Sequence, residues 1–365
     1  MLLMTSIIEI MKELPSEYEK ACFTEQAIQR KRGIENPNDL MMLALFHLLN
    51  GCSLVEISEI ARLAKLGTIS DVAFMKRFEK CGSWFKWILA HIEVDEVLAY
   101  RKPQWLEGYE VLSFDASEVA EKGRSGRIYR LHYALNLFRM QSAHYKITDQ
   151  KTGETLCNFE FEKNDLIIAD KIYSTFKGIG HCLDRGVNFV LRLRHNGFNM
   201  YEPGGNRIDV LERLKRLEGE DMLDLPVLVR LAKGGGYTQL RICAMRKDDK
   251  YLEQTKAKLR RRESKKQIVV SDEAKAFNNY IVVVTALPNQ IPVKDILELY
   301  RLRWQVEIYF KRLKSIIDFG ELPKRRKESA ETWLNGKLMI ALLIEKLMCA
   351  RSFSPGGEKQ QEYLA

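Results

Sequence analysis

Long apolar runs are missing from this chain. No uncharged stretch reaches the about 18 residues that a membrane-spanning helix needs, and the longest candidate, Leu338–Met348, is broken by Glu345 and Lys346. The opening stretch MLLMTSIIEIMKEL has no basic segment and carries Glu9 in its apolar run, so it does not read as a signal peptide. The seven cysteines, at positions 22, 52, 81, 157, 182, 243 and 349, contain no C-x-x-C pair. Their odd number and wide spacing exclude a disulfide framework and a structural zinc site, and suit a reducing cytoplasm. The six histidines never recur as H-x-x-x-H. His132 falls in a strand between Leu131 and Tyr133, and His181 sits beside Cys182 on a helix, so core or surface roles are expected of both. There is no internal repeat and no low-complexity tract. What is left is a soluble, cytoplasmic, globular chain.

Its 365 residues can bury a large core and suggest two or three domains. A net charge of +9 and a pI near 9.0 suit a polyanionic partner. The cations cluster, as KAKLRRRESKK over Lys256–Lys266 and as KRRK over Lys324–Lys327 after Pro323. Either cluster alone reads equally as a solvated face.

Residues 1–100 carry helical signals. Asn38 or Asp39 is placed to cap an apolar helix over Leu40–Leu49, and Ser53-Leu54-Val55-Glu56 matches a capping box. Gly67 makes a turn, and Ser70 opens a helix bearing Phe74, Phe78, Lys76 and Arg77. Helix, short glycine turn, helix suits a DNA-reading helix-turn-helix and any small bundle alike. Trp84, Phe85, Trp87, Ile88 and Leu89 read as bundle core.

From Tyr109 the apolar period becomes alternating. Strands are expected over Tyr109–Ala116, Ile128–Phe138, Ala143–Thr148, Leu166–Ala169 and Asn188–Leu193, with a turn at Gly123–Gly126 and a helix over Ser174–Asp184. The wholly apolar LIIA segment should be central in a mixed sheet. Asp115 and Asp170 stand at the ends of two of these strands, where aspartate is depleted; each could also simply open a loop or cap a helix. Residues 201–290 read as a β-rich insertion. It holds a helix over Ile208–Leu217, a hairpin of Leu225–Leu231 and Tyr237–Arg246 across Gly234-Gly235-Gly236, a basic helix around Tyr251–Glu263, and a strand over Asn279–Ala286. A final helix is expected over Ser329–Arg351, with a frayed tail beyond it.

Between insertion and final helix, Lys294–Gly320 reads as one amphipathic helix. At about 100° per residue, Tyr300, Arg303, Glu307 and Lys314 fall within an arc of roughly 60°, beside an apolar stripe of Leu299, Leu302, Val306, Tyr309, Leu313 and Ile317. Ordinary i,i+4 ion pairs of Arg303 with Glu307 and Glu307 with Lys311 would account for the polar face. Phosphodiester chemistry offers another account. It commonly uses two divalent metals about 3.5–4 Å apart, and hard Mg²⁺ takes carboxylate oxygens. If the first and fourth strands pair, Asp115 and Asp170 are neighbours, and Glu307 could reach them from a helix crossing the sheet.

These residues carry a resemblance. Tyr300, Arg303, Glu307 and Lys314 reproduce the Tyr-x₂-Arg-x₃-Glu-x₆-Lys signature without a gap. SFDAS at Asp115, RLHYALNL at Arg130–Leu137 and DLIIADKIYS around Asp170 agree with it. The chain resembles bacterial insertion-sequence transposases of the DDE class, in the branch of the insertion-sequence-four type, over roughly residues 40–350. Lys171 stands where that branch usually has arginine, while Tyr173 is kept.

The resemblance implies an α/β fold: an RNase H-like mixed sheet flanked by helices and interrupted by the β-rich insertion, with an N-terminal helical DNA-binding bundle. The divisions would be 1–100 for DNA binding, 101–200 and 291–365 for the two parts of the catalytic core, and 201–290 for the insertion. It implies that Asp115, Asp170 and Glu307 bind two Mg²⁺ ions, with Mn²⁺ as substitute, for cleavage at transposon ends and transfer of the 3′ hydroxyl into target DNA. Tyr300, Arg303 and Lys314 would hold phosphates, with Lys311, Arg325 and Arg326 as further DNA contacts. Tyr280 stands where the insertion would present an aromatic to stack on a base, or is an ordinary strand aromatic. The partners implied are double-stranded DNA, as terminal inverted repeats and target, and a second copy of the chain in the synaptic complex. An RNase H-like endonuclease without strand transfer and a non-catalytic, transposase-derived repressor are the alternatives; retention of all three carboxylates weighs against the repressor, since binding needs only cations.

Overall fold

The computed structural model describes residues 2–93, 102–121, 128–231, 236–323 and 326–352. Five helices come first: α1 (Leu2–Lys12), α2 (Tyr18–Thr24), α3 (Pro37–Asn50), α4 (Leu54–Leu63) and α5 (Asp71–His91). The cap of α3 is Asn36 rather than Asn38 or Asp39. Pro37 occupies the first turn, where its missing N–H costs nothing, and the Asn36 side chain accepts from Asn38 N. The Ser53–Glu56 capping box of α4 and the Ser70 cap of α5 form as expected. Trp84, Phe85, Ile88 and Leu89 are buried.

The turn between α4 and α5 is pinned by backbone contacts. Thr68 N donates to Gly33 O, and a Cβ on Gly67, whose φ is +144°, would stand 2.1 Å from that same oxygen. Arg77 is consumed here: its guanidinium donates to the carbonyls of Arg30, Arg32 and Ile34.

The sheet follows. Its strands are β1 (Glu110–Glu121), β2 (Ile128–Asn136), β3 (Gln141–Asp149), β4 (Asp165–Ala169), β5 (Asn188–Arg192), β6 (Met200–Tyr201), β7 (Met222–Arg230), β8 (Tyr237–Arg246), β9 (Tyr280–Thr285) and β10 (Glu321–Leu322). The remaining helices are α6 (Phe176–Asp184), α7 (Val210–Lys215), α8 (Asp249–Lys266), α9 (Asp272–Phe277), α10 (Val293–Arg301), α11 (Gln305–Ile316) and α12 (Lys327–Ser352). The strand order is β3-β2-β1-β4-β5-β9-β8-β7-β6, with β10 parallel to the far end of β1. β1 to β3 are antiparallel, while β1, β4 and β5 are parallel. The apolar β4 is central and buried along its whole length, as a parallel strand covered on both faces should be. A mixed sheet flanked by helices is in keeping with the RNase H-like core that the resemblance implies.

The strands of residues 201–290 join the same sheet: β9 pairs antiparallel with β5, and β8, β7 and β6 extend it outward. Two expectations change. β1 continues five residues past Ala116, because Ser117 and Val119 keep alternating inward while β2 and β10 pair with it as far as Ala120 and Glu121. Asp115 therefore lies within a strand, not at its end. The Lys294–Gly320 segment is not one helix: α10 and α11 are separated by a 3₁₀ turn over Leu302–Trp304. The turns at Gly123–Gly126 and at the hairpin tip, and the chain beyond Ser352, fall wholly or partly outside the described residues.

Two cores divide the sheet's faces. Val111 and Val119 of β1, with Leu166 and Ile168 of β4, join α1, α3, α5, α10, α11 and α12 in one; Leu112, Phe114, Ile167 and Ala169 join α6, α7 and the outer strands in the other. Because side chains alternate with a period of two, Asp115 falls on the first of these faces, beneath α11.

Gly67→Ala should lower the stability of the helical region by about 2 kcal/mol or more, since left-handed strain and a backbone clash add. Urea denaturation followed by tryptophan fluorescence checks this, and an unchanged midpoint would contradict it.

Candidate functional site

The site is assembled by register. β1 and β4 run parallel with Phe114 opposite Ala169, and one residue further on the same register sets Asp115 beside Asp170. Tyr133 of β2 lies directly across from Asp115 on the other side. The 3₁₀ turn crosses above this point, where the Ser113 hydroxyl donates to Arg303 O at 3.2 Å. That bond fixes the turn two residues from Asp115 on the same face of β1. A stretch of 3₁₀ inside a helix commonly marks strain or function; here it brings Arg303 down onto the carboxylates.

The electrostatics join the three predicted carboxylates. Burial pushes the Asp115 carboxyl up from 3.8 to about 6; Ala116 N, donating at 2.8 Å, and Arg303 oppose the rise, while Glu307 and Glu154 add to it. Burial lowers the Arg303 guanidinium, but Tyr300, the hydrogen-bonded Glu307 and Asp170 beside it outweigh that and raise it. Its Nη2 donates to Glu307 Oε1 at 2.6 Å. The Glu307 side chain is half exposed, and an i,i+4 pair of that kind is worth only about 0.3–1 kcal/mol.

The other predicted residues divide into those drawn into the site and those left outside it. Tyr300 is buried, its phenol raised to about 12 by burial with Asp170 nearby, while Arg192 and Arg303 oppose the rise. Its ring is therefore buried beside Arg303 and Arg192, not exposed as Lys311 and Lys314 are. Of the two readings of Tyr280, the structure has the ordinary strand aromatic: its ring is buried in the second core and its carbonyl accepts from Arg192 Nη2 at 2.6 Å. Lys311 and Lys314 are exposed on α11. Arg326 stands 3.7 Å from Glu79 of α5, away from the carboxylates in sequence and structure. Arg325 lies outside the described residues.

Four further residues join the site, of which Arg192 and Glu154 had not been singled out. Arg192 at the end of β5 is largely buried and interacts with Tyr300, Asp170 and Arg303. Glu154, after the Lys151–Gly153 turn, is raised by burial against Arg130, with Glu118 and Asp170 adding to the rise. Arg130 ties this edge together: Nη2 bonds Glu118 at 2.8 Å, Nη1 bonds Thr152 O at 2.7 Å, and Nε stands 3.6 Å from Glu154. Tyr173 is fully buried with Asp115, Glu154 and Asp170 around it. Arg130 and Tyr173 have a sequence signal, as members of the RLHYALNL and DLIIADKIYS stretches; the pairing of Arg130 with Glu118 has none, because the expected strand ends at Ala116. The histidines behave as core groups: His132 Nε2 meets Thr148 Oγ1, and His181 Nε2 meets Phe159 O.

A second buried carboxyl lies behind α11. Stacked rings of Tyr133 and Tyr309, 4.7 Å apart, separate it from the Asp115 side. Burial holds the Glu345 carboxyl near 7, opposed by Tyr309 and Ser142, yet neither carboxyl oxygen nor either phenol completes a well-formed hydrogen bond.

The structure thus has a mixed sheet with one carboxylate on β1, a second directly after the adjacent parallel β4, and a third on the helix that crosses β1. The Transposase DDE domain family matches residues 108–343, and the chain belongs to that family. The InsL protein of insertion sequence element IS186A from Escherichia coli K12 is 26% identical over 341 residues, covering 92% of this chain and 91% of that one. The transposase of IS421 from Escherichia coli is 25% identical over 342 residues, with the same coverage. The transposase of IS231D from Bacillus thuringiensis subsp. finitimus is 26% identical over 214 residues, 55% of this chain and 45% of that one.

Proteins of this family generally use divalent metals. The donor set here is suitable, being all carboxylate with no thiol or imidazole, the choice of a hard cation. The Asp115 carboxyl is raised chiefly by burial, with Glu307 and Glu154 adding to it, and a bound cation would offset that rise. Among the described residues, however, no three such side chains stand ready-clustered around one point, and Glu307 is turned to Arg303 instead.

A carboxyl raised in the folded state stabilises fully below its ordinary value, and that contribution is lost as pH rises through about 6 for Asp115. The rise corresponds to a cost of at most about 3 kcal/mol at neutral pH. Asp115→Asn should therefore raise the thermal midpoint of the metal-free protein at neutral pH, with the gain disappearing near pH 4. Differential scanning calorimetry across pH checks both the sign and the window.

Proposed function

We propose that this transposase-family protein acts on DNA, cleaving at the ends of an insertion sequence and joining the freed 3′ hydroxyl to target DNA. The observation that carries the reading is the register that sets Asp115 beside Asp170 beneath the helix bearing Glu307. When bound by Asp115, Asp170 and Glu307, two Mg²⁺ ions, or Mn²⁺ in their place, would activate the attacking oxygen and stabilise the leaving one.

The chain's own residues have three tasks. Asp115 and Asp170, fixed by strand pairing, supply rigid carboxylate oxygens. Glu307 leaves Arg303 at small cost and completes the set. Arg303, then free of its intramolecular partner, offers a planar pair of donors to a phosphate of the scissile strand. Tyr300 and Arg192 hold it from behind, and Lys311 and Lys314 carry further phosphate contacts along α11. No covalent protein–DNA bond is needed, so no nucleophilic side chain is assigned.

The N-terminal helices, residues 1–100, are assigned to DNA binding, with residues 201–290 as an accessory unit and 101–200 plus 291–365 as the catalytic core. Arg77 is excluded from the DNA contacts, since three carbonyls occupy it. A homodimer bridging two element ends is the working assembly, because strand transfer joins both ends in one complex.

Glu307→Gln should bind end DNA within a few-fold of wild type, while its Mg²⁺-dependent cleavage falls to the level of protein-free DNA. Cleavage by that variant at the wild-type rate would overturn the assignment. With pre-cut ends and a supercoiled plasmid, the wild type should yield joined product; cleavage without joining would reduce the function to that of an endonuclease.

A further inference from the structure

Helix α8 is an unusual element for a packed protein. It has 18 residues, and Leu252 alone is fully buried; Thr255, Leu259 and Glu263 are half-buried and mark the stripe that rests on the body. At about 100° per residue, Lys258, Arg261, Arg262 and Lys265 occupy an arc of roughly 100°, centred away from that stripe. All four are exposed, and among the described residues no carboxylate lies within ion-pairing distance of them. The acids that α8 does carry are used elsewhere: Asp249 pairs with Arg246 at 2.8 Å, Glu253 pairs with Lys256 at 2.7 Å, and Glu263 pairs with Lys275 and accepts from Val270 N. Like charges at i,i+3 and i,i+4 destabilise a helix by about 0.2–0.5 kcal/mol per pair, so this face weakens α8 unless an anion covers it.

The cationic face also continues into the site. Lys247, at the foot of α8, donates to Thr255 Oγ1 and Asn278 O, and its ammonium is pushed down to about 8 by burial and then by Arg192, Lys171 and Lys258. Lys171 follows Asp170 directly, and Arg192 interacts with Asp170 and Arg303. A row of mutually repelling cations thus runs from the catalytic aspartate to the exposed side of α8. Its apolar content is small, with Leu252 and Leu259 turned to the body, which disfavours a lipid surface.

We propose that the Lys258–Arg261–Arg262–Lys265 face of α8 grips the phosphate backbone of duplex DNA that leads away from the catalytic carboxylates, with Lys171 and Lys247 beneath the path between them. The proposal rests on the reading that DNA is the substrate. It makes α8 a sequence-independent clamp, because phosphate contacts position a duplex without reading it.

The test compares two pairs of substitutions of equal charge in the full chain. Arg261→Gln/Arg262→Gln empties the proposed face, and Lys256→Gln/Arg260→Gln removes the same charge from the other side of the helix. Both pairs are exposed, and glutamine keeps helix propensity. Binding is measured in EDTA, against salt, to a linear random-sequence duplex of about three helical turns, roughly 30 base pairs. Each lost phosphate contact should make the dependence of log K on log salt shallower by about 0.9. The face pair should therefore flatten it by about 2, and the opposite pair should leave it at the wild-type value. Equal slopes for both pairs, or an unchanged slope for the face pair, would overturn the proposal. Binding of phosphatidylcholine–phosphatidylserine vesicles that is lost in the face pair, without a change in the DNA slope, would overturn it in favour of a membrane surface. Wild-type cleavage of end DNA in Mg²⁺ is scored separately: its absence counts against the DNA-cleaving reading, whatever the slopes show.

Discussion

The parallel pairing of β1 with β4 is the constraint on which the site depends. Bringing carboxylates together without a bound cation needs a backbone that dictates their place, because repulsion and burial both oppose it. The ladder from Glu110↔Asp165 to Phe114↔Ala169 ends one residue before Asp115 on one strand and Asp170 on the other, and both strands are covered on both faces. Sliding β4 by one residue would turn Asp170 away and bring Ala169 onto the carboxylate face. The Ser113–Arg303 bond then ties the crossing helix to the same strand, so all three carboxylates are referenced to β1.

Within that frame the charge is deliberately unfinished. Asp115 is raised by burial more than Arg303 can offset, Glu307 takes its hydrogen bond from that same Arg303, and Arg303 also interacts with Tyr300 and Asp170. A strong pair at Glu307 would resist rearrangement, whereas a half-exposed i,i+4 pair gives way for about 1 kcal/mol or less. The arrangement costs folding stability at Asp115 and leaves Glu307 available. Stability spent in this manner is common where activity needs groups that the fold alone would not choose.

Much of this was legible from the chain. The apolar LIIA stretch flanked by polar turns marked a central strand, and the Tyr300, Arg303, Glu307 and Lys314 spacing marked the crossing segment. The Arg303–Glu307 pair followed from i,i+4 spacing alone and is present. What the chain hid was tertiary. The 3₁₀ turn at Leu302–Trp304 has no glycine or proline to announce it, since its partner is a serine 190 residues earlier. Arg192 and Glu154 looked like ordinary strand-end and loop charges, because their partners are far away in sequence. Tyr280 is open between two readings in the sequence: alternation fits a strand aromatic facing either way, and the pairing of β9 between β5 and β8 is what leaves it buried. The extra strands of residues 201–290 read as a separate unit because sequence distance hides the β5–β9 pairing.

The account turns on whether Glu307 changes partner from Arg303 to the aspartate pair. A crystal structure of the protein with Mn²⁺ and end DNA, using anomalous scattering, measures this directly. The account predicts Mn²⁺ density bounded by Asp115, Asp170 and Glu307, with Arg303 withdrawn from Glu307 and turned to a phosphate. Density elsewhere, or Glu307 still bonded to Arg303 with DNA and metal present, would contradict it.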